Sequence, residues 1–578
     1  MIRRTAPLLA AVLLAVLVLG PALAPGYVLQ YDMVFVPRQW LLPASFGLGG
    51  QLPRAVPQDA VLGALTAVLP GSVWQHLALL AVVVVGALGA ARLLRGQPVL
   101  ARVAAALLLV WSPYVAQRLL LGSWSLLLAV ALLPWALQAA VDVRAARPGA
   151  GPRLLLLVGL SSITPTGGLL ALAVAGPVAL RPRSRPTARN RVLLGLGLLA
   201  LQLPWVVPSV LHPASAASDP AGASVFALRA EGWWGPLVTA LGTGGVWNGE
   251  VVLPTRGLVL APLAALLLTA LAAAGLAPLS RVVGRAAAAW LGVCAATGLL
   301  VAVLGAWGPT RPLVEQVVAS VPGGGLLRDG QKWLAPWTLL VAIAAPLGLQ
   351  RGVARMRDRT AAAALGVALV LLPVAVMPDL VWGGLGRMRT TDYPQDWSRT
   401  AEALQVPGDG DVVVLPWSAF RAFAWNRRTT SLDPAPRFLP RTTVVDDSLL
   451  VAGPDGLVRV SGEDPRSTQV AAALAAGRPL MEVLPGLGVR YVVVEHETPG
   501  DVPPPALAGL DRVSDGPTMS LWSLPGRIAP PPSPSTASVA LVAAAYLLAG
   551  LVLVTAAARS AMSWRGGRRK PRRPATVR

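Results

Sequence analysis

The feature that most constrains this chain is the recurrence of apolar runs long enough to cross a bilayer, separated by short gaps that carry arginine. A helix needs about 20 apolar residues to span the hydrocarbon core. That ruler places spans near 6–24, 73–91, 99–115, 123–141, 153–165, 167–180, 192–211, 257–278, 286–306, 334–350, 360–378 and 537–558. Only 13% of the residues are charged and 54% are hydrophobic, against about 25% charged in soluble domains. The expected architecture is therefore a polytopic α-helical membrane protein with about 12 transmembrane helices. Runs 153–165 and 167–180 are short, and SITPTGG between them reads either as a tight turn between two spans or as the break of a re-entrant hairpin. The first run doubles as a signal peptide with Ala22-Leu23-Ala24 as a cleavage site; an uncleaved anchor keeps the span count even.

The net charge of +22 does not mark a nucleic-acid binder. The arginines occupy the gaps 92–102, 144–153, 181–191, 281–285 and 351–359 and the tail 559–578, which alternate with gaps sparser in basic residues. The positive-inside rule puts that side, and both termini, in the cytoplasm of a cell-membrane protein. Loops 25–72, 213–256 and 307–333 then face outward from the multi-span region 1–378, and so does segment 379–529. In that segment VVVLPW (412–417), TTVVDD (442–447) and VRYVVVEHE (489–497) alternate with helical patterns at 394–405 and 467–477. The pattern predicts an extracytoplasmic α/β domain. A proline-rich linker, 530–536, leads to the last span, and the basic tail is placed against anionic membrane lipid.

Metal and redox chemistry find little support. Cys294 has no partner cysteine, and His76, His212 and His496 lie far apart. Asp446-Asp447 offers two carboxylates without an identifiable third ligand, so no metal site is assigned, although a divalent metal is left open.

The outer loops bring together acids, Arg/Lys and tryptophan. An acid there accepts a proton from a hydroxyl, and cations stabilise a phosphate leaving group. GYVLQYDMVFVP with Asp32, WSPYVAQRLLLGSWSLLLAVALLPW (111–135), LLRDGQKW (326–333) and LGVRYVVVE (487–495) resemble segments of GT-C glycosyltransferases, in particular the membrane part of actinobacterial arabinofuranosyltransferases. The resemblance implies a sugar transferred from a polyprenyl-phosphate donor to a cell-envelope glycan or glycolipid. It implies Asp32 as catalytic base, with Asp59 as a second acid of the first loop; PQDA is equally an ordinary helix start with Asp near the N-cap. Arg328 and Lys332 would hold the lipid phosphate, with Asp329 orienting one of them. Arg118, Trp233 and Trp234 complete the expected substrate-binding set, the tryptophans having an interfacial reading as well. A non-enzymatic envelope scaffold, or a transporter of lipid-linked intermediates, is the alternative. A transporter carries ionisable groups deep in its spans, and these spans are nearly free of them, Gln202 being the main polar exception.

Overall fold

The computed structural model describes residues 2–181, 188–212, 218–405, 410–453 and 456–568. Parts of the arginine-rich gap 181–191 and of loop 213–256, and the tail from 569 onward, lie outside the described residues. Among the described residues nine helices are long and apolar enough to cross a membrane, from Thr5–Leu23 to Thr536–Met562. The pair Ala188–Ala200 and Leu203–Leu211, bent by 54°, is together long and apolar enough for a broken tenth span or a re-entrant loop. Pro204 at the start of the second helix cannot continue the backbone ladder of the first. Gln202 at the break bonds Ser162 through its Nε2 (3.1 Å) and accepts from Trp205 Nε1 (3.2 Å).

The remaining two expected spans are short. Ala150–Ser161 has 12 residues and Pro165–Leu180 has 16, about 18 and 24 Å at 1.5 Å per residue. Neither alone crosses a core about 30 Å thick. The expected count of about twelve resolves into nine long helices, one bent pair and two short helices, the last falling where the sequence left two spans or a re-entrant hairpin open.

The second unit is an α/β domain built on a five-stranded mixed sheet. Its strand order is Asp511–Asp515, Met519–Ser523, Val489–Glu495, Asp411–Leu415, Thr443–Val444. The last three are mutually parallel and the first two antiparallel. Side-chain alternation sorts the two faces. Val413, Leu415, Val492 and Val494 join a small core with Val470 of helix Pro465–Ala475. Val412, Val414, Val493 and Leu521 join the core that continues into the membrane helices. The join is aromatic: Tyr393, Trp397, Phe423, Trp425 and Phe438 pack with ring centroids 4.8–5.9 Å apart, and Tyr27 of the first loop meets Tyr393 at 5.2 Å.

The first loop is clamped between both units. Gln75, buried in helix Gly71–Leu93, bonds Val28 on both its N–H (2.9 Å) and its C=O (2.8 Å). Tyr27-Val28 pairs antiparallel with Thr390-Thr391 of the α/β domain. Tyr31 donates its N–H to Thr430 O (2.7 Å) and accepts from Leu432 N–H (2.8 Å). Gln30, Tyr31, Asp32 and Met33 form a tight turn closed by Met33 N–H to Gln30 O (2.9 Å), and Asp32 N–H reaches Leu121 O (3.2 Å). The turn lies directly on Gly122, whose φ is +81° and whose missing side chain leaves room for the Gln30–Met33 backbone. Arg437 of the domain closes the clamp on Asp59 (3.1 Å).

This contact yields a prediction. Gly122→Ala adds a methyl at a left-handed residue and against backbone, so it is expected to displace the Asp32 turn and to destabilise the protein by roughly 1–3 kcal/mol. Thermal unfolding in detergent checks it: a lowered midpoint with altered protease access to loop 25–72 is expected, and an unchanged midpoint contradicts the clamp.

Candidate active site

The two halves of the chain meet around a buried arginine. Arg118 sits on the short helix Pro113–Leu120, started by Pro113 and capped by Ser112, whose hydroxyl accepts from Val115 N–H (3.3 Å). Its side chain is 1% exposed. A guanidinium withdrawn from water needs a partner for its charge and its donors. Asp329 supplies a bidentate one, with Nη1–Oδ2 2.8 Å and Nη2–Oδ1 2.6 Å, and Gln331 Oε1 accepts from Nε at 2.6 Å. The segment bearing Asp329 is held close: a side chain on Gly330 would stand 2.9 Å from Ala302 Cα, and Tyr114 donates to Lys332 O (2.9 Å).

Burial works to raise the Asp329 carboxyl, and Arg118 and Lys332 overcome it, so its pKa lies below the ordinary value. Asp329 is therefore a fixed anion whose valence is largely consumed by Arg118. Lys332 Nζ stands 3.6 Å from it with its side chain 34% exposed. Arg328 makes no ion pair among the described residues; its guanidinium lies 4.8 Å from the centre of the Phe226 ring. Burial, with Arg54 nearby, lowers the Arg328 pKa to about 10, against the pull of Glu463, Asp329 and Asp219. It stays charged at neutral pH.

These groups line one cavity of about 820 Å³ together with Asp32. The Asp32 carboxylate has no hydrogen bond or ion pair among the described residues. Burial raises its pKa, opposed by the charges of Lys332, Arg437 and Arg118. Six basic side chains (Arg54, Arg118, Arg229, Arg328, Lys332, Arg437) and three acidic ones (Asp32, Glu250, Asp329) face the space, which suits it to an anion. Trp124, Trp247, Phe226 and Phe420 give it aromatic walls, and Thr164 and Thr166 bring the turn of the short hairpin to the same level.

Of the residues expected from the sequence, Asp32, Arg118, Arg328, Asp329 and Lys332 converge. Asp59 lies outside this lining. It sits in the first turn of helix Gln58–Thr66 and borders a neighbouring crevice, facing Arg437. Trp233 and Trp234 are also elsewhere. They lean on each other at 4.7 Å beside Glu231 and Arg256, and Trp233 is 78% exposed. The WW pair signalled stacking, but Trp124 and Trp247 occupy the cavity wall. Asp447 accepts from the N–H groups of Glu463 and Asp464 (2.7 and 2.8 Å) and so orders a loop. Among the described residues no group of three or more His, Cys, Asp or Glu is arranged to hold a metal ion.

Several contributors carried no sequence signal. Gln331 is fully buried in a segment that reads as a polar loop. Tyr31 OH donates to Glu250, and Arg54 pairs with Glu463 at 2.5 Å across 409 residues. A hydroxyl or guanidinium that finds its partner only after folding leaves no local pattern.

No family model and no curated protein matches this chain. Among solved structures it is similar to the single-particle cryo-EM structure of arabinofuranosyltransferase AftD from mycobacteria, with a TM-score of 0.58 at 20% identity over 91% of this chain and 40% of that one. A mutant of the same enzyme gives 0.51 at 19% identity, over 91% and 42%. The chain spans about two fifths of the length of the structures it matches. At this identity the likeness is one of fold, and it bears out the expected architecture of a multi-pass helical membrane protein carrying an α/β domain.

Proposed function

We propose that this protein is a membrane glycosyltransferase that moves a sugar from a polyprenyl-phosphate donor to a hydroxyl of a cell-envelope glycan or glycolipid. One observation carries the reading: Asp32, a carboxylate without a partner among the described residues, shares a cavity with Arg328 and Lys332. The acceptor oxygen attacks the anomeric carbon, the bond from that carbon to the phosphate oxygen breaks, and the acceptor proton passes to Asp32. Polyprenyl phosphate leaves with the bonding pair, and its growing charge is met by Arg328 and Lys332. Arg118 acts at one remove, as a positioning residue that holds Asp329 and through it Lys332. The fold likeness to an arabinofuranosyltransferase supports the reaction class. The arginine pattern supports a cavity and α/β domain outside the membrane with both termini in the cytoplasm.

Asp32→Asn is expected to lower transfer from a lipid-linked sugar by about 10²–10⁴-fold, the usual worth of a positioned base, while binding of the donor to purified protein persists. Retained transfer removes Asp32 from the mechanism; absence of donor binding by the wild-type chain favours a scaffold.

The pH profile carries the sign of the Asp32 environment. The base works ionised and its pKa is raised, so kcat is expected to fall with acidification already above the usual carboxylate range. Asp32→Glu should keep such a limb and Asp32→Asn should lack it.

Arg328→Gln and Lys332→Gln are each expected to lower kcat by roughly 10²–10³-fold, as loss of a transition-state charge partner does elsewhere. A rise confined to KM would instead assign these cations to ground-state binding.

A further inference from the structure

A second basic recess lies at the other end of the helices. Helix Ala335–Val353 starts beside Lys332 and carries Arg351 in its last turn, about 24 Å along the axis from its first residue at 1.5 Å per residue. Helix Leu260–Val283 carries Arg281 in its last turn. The two helices touch backbone to backbone, Gly275 against Ala344 and Gly348 against Leu271, with no room for a side chain at either glycine. Small residues permit such close approach in membranes, and here it brings both C-terminal ends out together. Arg95, from the turn after helix Gly71–Leu93, completes a basin of about 610 Å³ that also includes Gln97, Gln350 and Leu347.

Each arginine alone is ordinary, since cations suit helix C-termini and cytoplasmic gaps. Their convergence is different. The basin has three guanidinium groups, no acidic side chain in its lining and no ion pair to any of the three among the described residues. Gln350 Oε1 is buried without a donor among the described residues. Leu347, Val282 and Pro278 form an apolar wall beside the charges, at the C-terminal ends of two helices long and apolar enough to cross a membrane.

We infer that this basin binds the phosphate of one anionic phospholipid, its acyl chains lying along the apolar wall and a head-group hydroxyl donating to Gln350. The site is separate from the Asp32 cavity, and its occupancy does not depend on the proposed transfer reaction.

Native mass spectrometry of the full chain released from nanodiscs tests it, with phosphatidylglycerol and phosphatidylcholine as probes. Each basic residue near an anionic head group contributes about fivefold in affinity, so one saturable phosphatidylglycerol adduct is expected, preferred over phosphatidylcholine on the order of a hundredfold. Arg95→Gln/Arg281→Gln/Arg351→Gln should abolish the preference. Arg355→Gln/Arg357→Gln, which removes charges of the same loop outside the basin, should keep it. Should the triple variant fail to insert, Gln350→Glu places a carboxylate among the arginines and should expel the lipid by itself. Equal loss in the Arg355/Arg357 variant, or retention in Gln350→Glu, overturns the proposal. Displacement by glycerol phosphate at matching concentration also overturns it, by showing a site for free phosphate.

Discussion

The arrangement depends on one buried ion pair. Withdrawing a guanidinium from water costs several kcal/mol, repaid only where geometry is good and further hydrogen bonds support the pair. Each of the three Arg118 guanidinium nitrogens finds an acceptor, two in Asp329 and one in Gln331. The pair joins positions 211 residues apart and fixes the entry to helix Ala335–Val353. With Asp329 occupied by Arg118, the positive charge of Lys332 is only partly offset, and that of Arg328 has no paired carboxylate among the described residues. A cavity with surplus cation on one wall follows from that local neutralisation.

The opposite wall comes from the first loop, and its precision comes from backbone rather than side chains. Val28 is held by the Gln75 amide, Asp32 by a backbone hydrogen bond from its N–H to Leu121 O at the end of a membrane helix, and Tyr31 by a strand of the α/β domain. The carboxylate of Asp32 is thereby presented without taking part in its own support. A group held by its main chain keeps its side chain available, and burial then tunes its proton affinity. The α/β domain acts here as a brace: its aromatic seam and Arg437 press the loop against the membrane helices.

Much of this was legible in the sequence, for physical reasons that also mark the limits. Span-length hydrophobicity reports a solvent, the bilayer, so it located the nine long helices among the described residues. β-branched runs at 412–417, 442–447 and 489–497 located the parallel core of the sheet. The short hairpin was ambiguous because residues 150–180 are apolar enough to be buried but too short to cross, and hydropathy does not measure what covers a helix. Asp32, Arg328 and Lys332 stood out because charge beside long apolar runs is costly. Asp59 stood out by the same rule, yet its carboxylate faces an arginine of the distant domain. Trp233 and Trp234 show the weakness of residue type as a guide, since an exposed aromatic pair and a cavity wall look alike in one dimension.

The central claim is that one cavity receives both the phosphate and the acceptor, with Asp32 opposite the cations. A cryo-EM structure of the protein with a polyprenyl-phosphate sugar bound tests it most directly. The account requires the phosphate within hydrogen-bond reach, about 3 Å, of Arg328 or Lys332, and the sugar between that phosphate and Asp32. A phosphate seated in another recess, or a sugar turned away from Asp32, contradicts it.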